Sequence, residues 1–329
     1  MTKINYIIRI SLLILTLVNG KQLSGQDYEF SQFYANKLYL APSFAGATQQ
    51  NRFIADYRDQ WPGLPKAFVT YCASFDHSIS NYNSGVGLII LDDEAGSLNL
   101  STIEVGVLYS YDFKLNDYYH LRPGIGFDFL QKSIDYSKGV TIGEIYDAST
   151  GNTFQAPSQS SDVGFDASAS ALLYSNNVWA GLTVDHLLQP NISLWGENDR
   201  SPVKETLYGG VTILRNGRLL KPVDETVSIA GMFTNEGNNR QLDIGLYWAQ
   251  SPLTFGLWYR GLPPFNSERG DAITFLVGIK LMHFSCGYSY DFTISNLITH
   301  SAGAHEVSLT YEFYVLKKKK LQAVPCPEF

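Results

Sequence analysis

The chain has 329 residues with 24 basic and 31 acidic side chains, a net charge of −7; without Lys3, Arg9 and Lys21 of its leader, 21 basic residues face the same 31 acids, near −10. That sign disfavours a nucleic-acid partner, whose phosphates call for a basic surface. Aromatic residues make up 14%, with 21 Tyr and 19 Phe, yet mean hydropathy is only −0.08 and no apolar run outside the leader approaches the length of a membrane helix. A transmembrane β-barrel has this composition, because half of each strand faces lipid and half a polar lumen.

The first predicted element is the leader. Lys3 and Arg9 flank the start of an apolar run over 10–18. That run is shorter than the roughly 20 helical residues a bilayer needs, and small and polar residues follow it, as in a secretory signal peptide. Residues 1–25 are therefore set apart from the fold, with a membrane anchor that is never removed as the alternative. Residues 26–50 follow, rich in Tyr, Phe and Leu with Pro42 but with little alternation. They are predicted to form a short plug inside the barrel, with a disordered tail as the other reading.

From residue 51 the chain alternates with a period of two. Over 241–249, Leu242, Ile244, Leu246 and Trp248 oppose Asp243, Gly245 and Tyr247. Over 252–261, Leu253, Phe255, Leu257 and Tyr259 oppose Thr254, Gly256, Trp258 and Arg260, and over 271–281, Ile273, Phe275, Val277 and Ile279 oppose Thr274, Gly278 and Lys280. Such splits are strands by the alternation rule, and nothing comparable occurs at helical spacing. A soluble sandwich also alternates, so the period alone does not decide lipid exposure.

Strands are predicted at 51–59, 66–78, 84–92, 98–113, 118–131, 162–174, 177–187, 205–215, 223–234, 239–250, 252–261, 271–281, 283–292 and 304–315, which is about 14, an even number. Connections after the even-numbered strands are short, and those after the odd-numbered ones include the longest, at 132–161, 188–204, 262–270 and 293–303. Short periplasmic turns with longer outer loops produce that asymmetry. The fold class is accordingly all-β, a transmembrane antiparallel β-barrel over 51–315 that ends in a periplasmic tail over 316–329, with both chain ends on the periplasmic side.

Candidate chemistry is sparse. The three cysteines, Cys72, Cys286 and Cys326, are odd in number and lack CxxC spacing, so at most one disulfide forms within the chain and no zinc ligand set is visible. Asp92, Asp93 and Glu94 lack the alternating ligands of a calcium loop and read as a solvated hairpin tip. Lys317 to Lys320 would meet lipid headgroups at the periplasmic rim or form a solvated tail. The histidines are dispersed, and no HExxH, GxSxG, Walker or GxGxxG pattern occurs. His305 with Ser301 or Ser308 would need a third triad partner that sequence does not locate, and reads as a hydrogen-bonded wall histidine. The expectation is no catalytic residue, no cofactor and no metal.

Several separated motifs carry a resemblance. Phe30, Gln32, Tyr34, Asn36, Leu38, Tyr39, Pro42 and Gly46, then Trp61, Pro62 and Gly63, and at the far end 304–311 and the closing 326–329, resemble the PorP/SprF family of outer-membrane proteins of the type IX secretion and gliding-motility apparatus of Bacteroidota. Lys37 stands where that family's Pro is expected. The resemblance implies cleavage after Gly25, leaving Gln26 first; Leu23 is a poor residue before that cut, and cleavage after Gly20 stays open. It also implies a non-enzymatic barrel in the outer membrane that helps secrete, or anchors at the surface, a large adhesin-like protein with a type B C-terminal signal, tied in some members to a peptidoglycan-binding periplasmic lipoprotein. Outer-membrane lipid is a further partner, and nucleic acid is not. A passive porin or small-solute channel would use the same barrel, and an outer-membrane lipid hydrolase is the enzymatic alternative. Within the outer loops, Tyr146, Phe154, Leu194 and Trp195 are candidate anchors for the exported protein, as aromatic residues predominate at interface hot spots; folding of the same aromatics inward over the lumen is the competing expectation.

Overall fold

The computed structural model describes residues 27–48, 50–64, 68–96, 100–134, 146–147, 152–153, 159–196, 198–217, 223–261, 270–294, 302–313 and 324. The predicted leader and the tail apart from Val324 lie outside them. Fourteen strands close into one antiparallel ring: β1 (Asn51–Gln60), β2 (Phe68–Ile79), β3 (Ser84–Ala95), β4 (Leu100–Tyr111), β5 (His120–Ile134), β6 (Ser161–Tyr174), β7 (Val178–Asp185), β8 (Lys204–Gly217), β9 (Val223–Glu236), β10 (Asn239–Gln250), β11 (Leu253–Gly261), β12 (Gly270–Leu281), β13 (Phe284–Thr293) and β14 (Ala304–Phe313). Each strand pairs with its sequence neighbours, and β1 meets β14 from Asn51↔Phe313 to Gln60↔Ala304. Closure removes every open edge, which the absence of water in the hydrocarbon core demands. A two-residue strand, Phe113–Lys114, pairs onto β5 outside the ring, and Tyr146–Asp147 pairs with Asn152–Thr153 in the longest connection.

The alternation read from sequence is the alternation of the wall. Ile244, Leu246 and Trp248 of β10, Phe255 and Leu257 of β11, and Phe275 and Val277 of β12 point outward and are exposed, whereas Asp243, Tyr247, Thr254, Trp258 and Thr274 point inward and are buried. Exposed apolar side chains continue around the ring through Phe53, Leu88, Val107, Phe127, Phe165, Leu207 and Leu309. A continuous apolar belt of this kind is a lipid-facing surface and has no counterpart on a soluble sandwich. Outward aromatic pairs mark its two borders: Tyr57 with Tyr71 at the long-loop end, Trp248 with Phe255 and Phe284 with Tyr311 at the other. A bulge between Thr212 and Leu214 breaks the period within β8 and turns both Ile213 and Leu214 outward; further register shifts lie at the strand ends Asn216/Gly217 and Arg260/Gly261.

The short connections at 80–83, 175–177, 251–252 and 282–283 share one end with the start of β1 and the finish of β14. The long ones at 135–160, 186–203, 262–269 and 294–303 lie at the opposite end, together with two short ones, 96–99 and 237–238. We take the long-loop end as the outer one.

Candidate functional site: the occupied lumen

The segment ahead of β1 does not hang in solvent. From Phe30 to Thr48 every residue except Tyr39 is buried, enclosed by the inward faces of the ring. It contains a one-turn helix α1 (Lys37–Leu40) and a 3-10 turn (Pro42–Phe44). Lys37 is the first residue of α1, the position that best accepts proline, so either residue starts this turn. Within the segment ahead of β1, Phe30 to Thr48 thus fill the lumen, and the polar motif residues explain how they are held.

Its upper part is clasped by an ionic cluster from the seam of the ring. Arg58 of β1 donates to Asp291 of β13 at 2.9 Å and to Glu306 of β14 at 3.0 Å, and its Nη1 also reaches Ser31 Oγ at 2.5 Å. Ser31 Oγ donates to Asp291 at 2.5 Å, and the backbone N–H groups of Ser31 and Gln32 donate to the two oxygens of Glu306 at 2.7 and 2.9 Å. Gln32 completes the clasp: its amide donates to Glu306 O and Ser289 Oγ and accepts from Ser308 Oγ at 2.7 Å. Arg260 and Thr274 add further bonds to Asp291. Carboxylates removed from water are stable only when paired and hydrogen-bonded to this degree.

Below the clasp the segment is apolar. Tyr34 sits among Trp179, Tyr247 and Trp258 with ring centroids 6.0 to 6.3 Å away, mostly edge to face, and Phe33 packs edge-on to Trp258 at 4.8 Å. Its hydroxyl donates to Gly209 O. Asn36 donates to Cys72 Sγ at 3.1 Å, which makes that cysteine a buried wall contact. Lower still, Ser110 Oγ and Arg122 Nη2 donate to Ala45 O, and the Gly46 N–H donates to Asp76, itself paired with Arg52. Here the backbone presses on the wall: a Cβ on Gly85 would lie 2.0 Å from Ala45 O, and one on Gly124 would lie 2.3 Å from Ser43 N. Only glycine admits such an approach. Val324, the one described residue beyond Phe313, is buried in the same aromatic cluster.

At the outer mouth Asp27 accepts from Lys204 Nζ at 3.1 Å and from His186 Nε2 at 2.9 Å, while His186 Nδ1 donates to Asp166 at 2.5 Å. Burial works against a charge on His186, but the hydrogen bonds to Asp166 and Asp27 outweigh it and push the imidazole up to about 11, so both ring nitrogens carry protons at neutral pH. Tyr28 bonds to Glu104 and Tyr39 to the Tyr28 carbonyl. Above this floor opens a cavity of about 490 Å³ whose lining includes Glu29, Trp61, Asp93, Lys132, Asp199 and Arg200.

The other sequence-selected residues divide clearly. Trp61 lies on this mouth, with its backbone N–H donating to Gly303 O; Pro62 and Gly63 beside it are exposed. Leu194 is buried at 1% exposure while Trp195 is 39% exposed, so the pair points both inward and outward. Tyr146 lies in the small loop hairpin and Phe154 outside the described residues. Asp92 and Asp93 accept from Ser101 and Thr70 across the sheet, and among the described residues no group of side chains is arranged to hold a metal. His305 bonds to Tyr288 on the outer face, whereas Ser308 points into the lumen toward Gln32, which separates those two members of the suggested triad. Sequence reasoning missed Arg58, Asp291 and Glu306; the only signal was charge at inward positions of three strands.

The sequence profile described as type IX secretion system membrane protein PorP/SprF matches residues 22–311. The chain belongs to the PorP/SprF family. Among curated proteins none matches it. Solved barrels resemble this PorP/SprF protein in fold: the toluene transporter TbuX of Ralstonia pickettii has a TM-score of 0.51 at 10% identity, covering 84% of this chain and 92% of its own. The toluene transporter TodX of P. putida follows at 0.49 and 10%, covering 84% and 93%, and the outer membrane protein Omp33 of Acinetobacter baumannii at 0.44 and 10%, covering 82% and 100%. Membership and fold together put this PorP/SprF protein in the outer membrane as a closed β-barrel.

Proposed function

We propose that this protein is a non-catalytic barrel of the type IX secretion and gliding apparatus that helps secrete, or holds at the cell surface, a large adhesin-like protein bearing a type B C-terminal signal, and that it contacts a peptidoglycan-binding lipoprotein on the periplasmic side. The observation that favours this reading over a passive channel is the filled lumen: Phe30 to Thr48 run through it, clasped above by Arg58, Asp291 and Glu306 and pressed below against Gly85 and Gly124. A ring of this size otherwise leaves an open interior. The outer loops at 132–161 and 188–204, with Tyr146, Phe154 and Trp195, are the proposed docking surface, since loops vary freely on a rigid scaffold, while buried Leu194 anchors its loop from within.

Affinity purification from the native outer membrane in mild detergent tests the reading. Co-elution of an exported surface protein supports it. Isolation of the barrel alone, together with open conductance of the intact protein in a planar bilayer, would return it to the porin class. Deletion of 145–160 should leave barrel assembly intact and lower the amount of partner retained on cells; unchanged retention at normal barrel levels would remove that loop from the docking surface.

A further inference from the structure

The contacts of the N-terminal segment follow one direction along the barrel axis. Asp27 meets His186, Lys204 and Glu236, which lie at the long-loop ends of β7, β8 and β9. Ser31 and Gln32 meet Arg58, Asp291 and Glu306, near the same end of β1, β13 and β14. Thr183, in the body of β7, donates to Leu40 O, and Ser170 of β6 accepts from Ser43 N–H. Ala45 and Gly46 meet Ser110, Arg122 and Asp76, at the short-turn ends of β4, β5 and β2. Five residues later β1 begins at that short-turn end. The segment therefore threads the whole lumen, entering the wall from below with its beginning at the outer mouth.

We infer that the segment ahead of β1 reaches the outer side of the membrane through the barrel's own lumen, with Asp27 at the outer mouth, and that the ring closes around it during assembly. Two observations bear on the order of events. The segment is bound to the two strands of the seam, β1 and β14, and to β13 beside them, so it can dock on an open sheet before β1 meets β14. Insertion after closure would have to drag Phe33, Tyr34 and Phe44 past a wall whose backbone touches that of the segment at Gly85 and Gly124. Close-packed interiors do not yield to passing aromatic rings. The consequence for recognition is that Asp27, Tyr28 and Glu29 line the floor of the outer cavity, where an exported partner would meet them, while Phe30 to Gly46 are unavailable to any partner unless the segment is released.

The test labels single cysteines on intact cells with a membrane-impermeant maleimide, in a Cys72→Ser, Cys286→Ser, Cys326→Ser background. Asp27→Cys and Glu29→Cys report the segment, Asn198→Cys the long-loop end and Asn176→Cys the short-turn end. Labelling of Asp27→Cys on intact cells, as for Asn198→Cys, with Asn176→Cys at background until the outer membrane is permeabilised, is the expected result. Labelling of Asp27→Cys and Glu29→Cys only after permeabilisation would place the start of the segment on the periplasmic side and overturn the inference, and labelling only after heat unfolding would show it enclosed and do the same. The readout is independent of any partner, so it stands apart from the secretion role.

Discussion

Replacing Arg58 with Met isolates what the ionic clasp does. The Arg58, Asp291 and Glu306 side chains are 3%, 5% and 0% exposed, and the guanidinium makes contacts of 2.9 and 3.0 Å to the two carboxylates. Methionine fills similar volume and removes the charge, leaving two carboxylates facing each other away from water. Asp291 keeps Thr274 and a longer contact to Arg260, and Glu306 keeps the backbone N–H groups of Ser31 and Gln32. Breaking a buried pair in this way costs about 3–5 kcal/mol. The charge is relieved by letting the segment go, so most of the loss falls on the docked state, and at tenfold per 1.4 kcal/mol the released fraction rises by roughly two to three and a half powers of ten. Single-channel recording of the purified barrel reads this as openings that the parent lacks, and a denaturant titration of outer-membrane vesicles reads the loss of stability. Arg58→Met with Asp291→Asn should recover part of it, because one stranded charge is gone while the amide oxygen still accepts from Thr274 and its NH2 can donate to Ser31 Oγ. If Arg58→Met unfolds at the parent's midpoint and stays closed, the clasp does not hold the segment and the reasoning fails.

Phe275→Arg, on the lipid face in the middle of β12, should cost about 2–4 kcal/mol in a folding titration. Thr274→Val on the opposite face should cost about 1–3 kcal/mol for a different reason, since buried Thr274 donates to Asp291 at 2.7 Å and its loss strands an acceptor; a solvated lumen would have made that change nearly free, and a neutral result would contradict the filled interior. Gly124→Val would drive a side chain into the Ser43 backbone, and overpacking of about 1–3 kcal/mol should appear as increased cysteine accessibility at Glu29→Cys with the barrel still assembled. His186 is protonated in the folded state up to about 11 against an ordinary 6.5, so its contribution to seating Asp27 is complete below 6.5 and is lost as pH rises toward 11. Labelling of Glu29→Cys should therefore increase over that window, and His186→Gln should flatten the rise; equal pH profiles in both proteins would exclude the histidine.

The period-two alternation of Leu242 to Trp248, Leu253 to Tyr259 and Ile273 to Ile279 determined the strands and their two faces, because side-chain direction in a strand is fixed by parity, while composition, strand number and loop asymmetry pointed to the membrane class. Loop lengths gave the end to which the long connections go. The aromatic, weakly alternating run from Phe30 to Gly46 announced something other than a strand, and a buried filling was one of its two readings. What sequence could not supply was the partner of each inward charge. Arg58 and Glu306 stand 248 residues apart, and only ring closure, which sets β1 beside β14 at Arg58↔Glu306, brings them together. Gly85 and Gly124 are likewise ordinary strand glycines until the segment lies against them. Alternation is local and survives in a one-dimensional reading; which strand meets which, and what the enclosed space contains, are properties of closure, and the tertiary structure alone decided them.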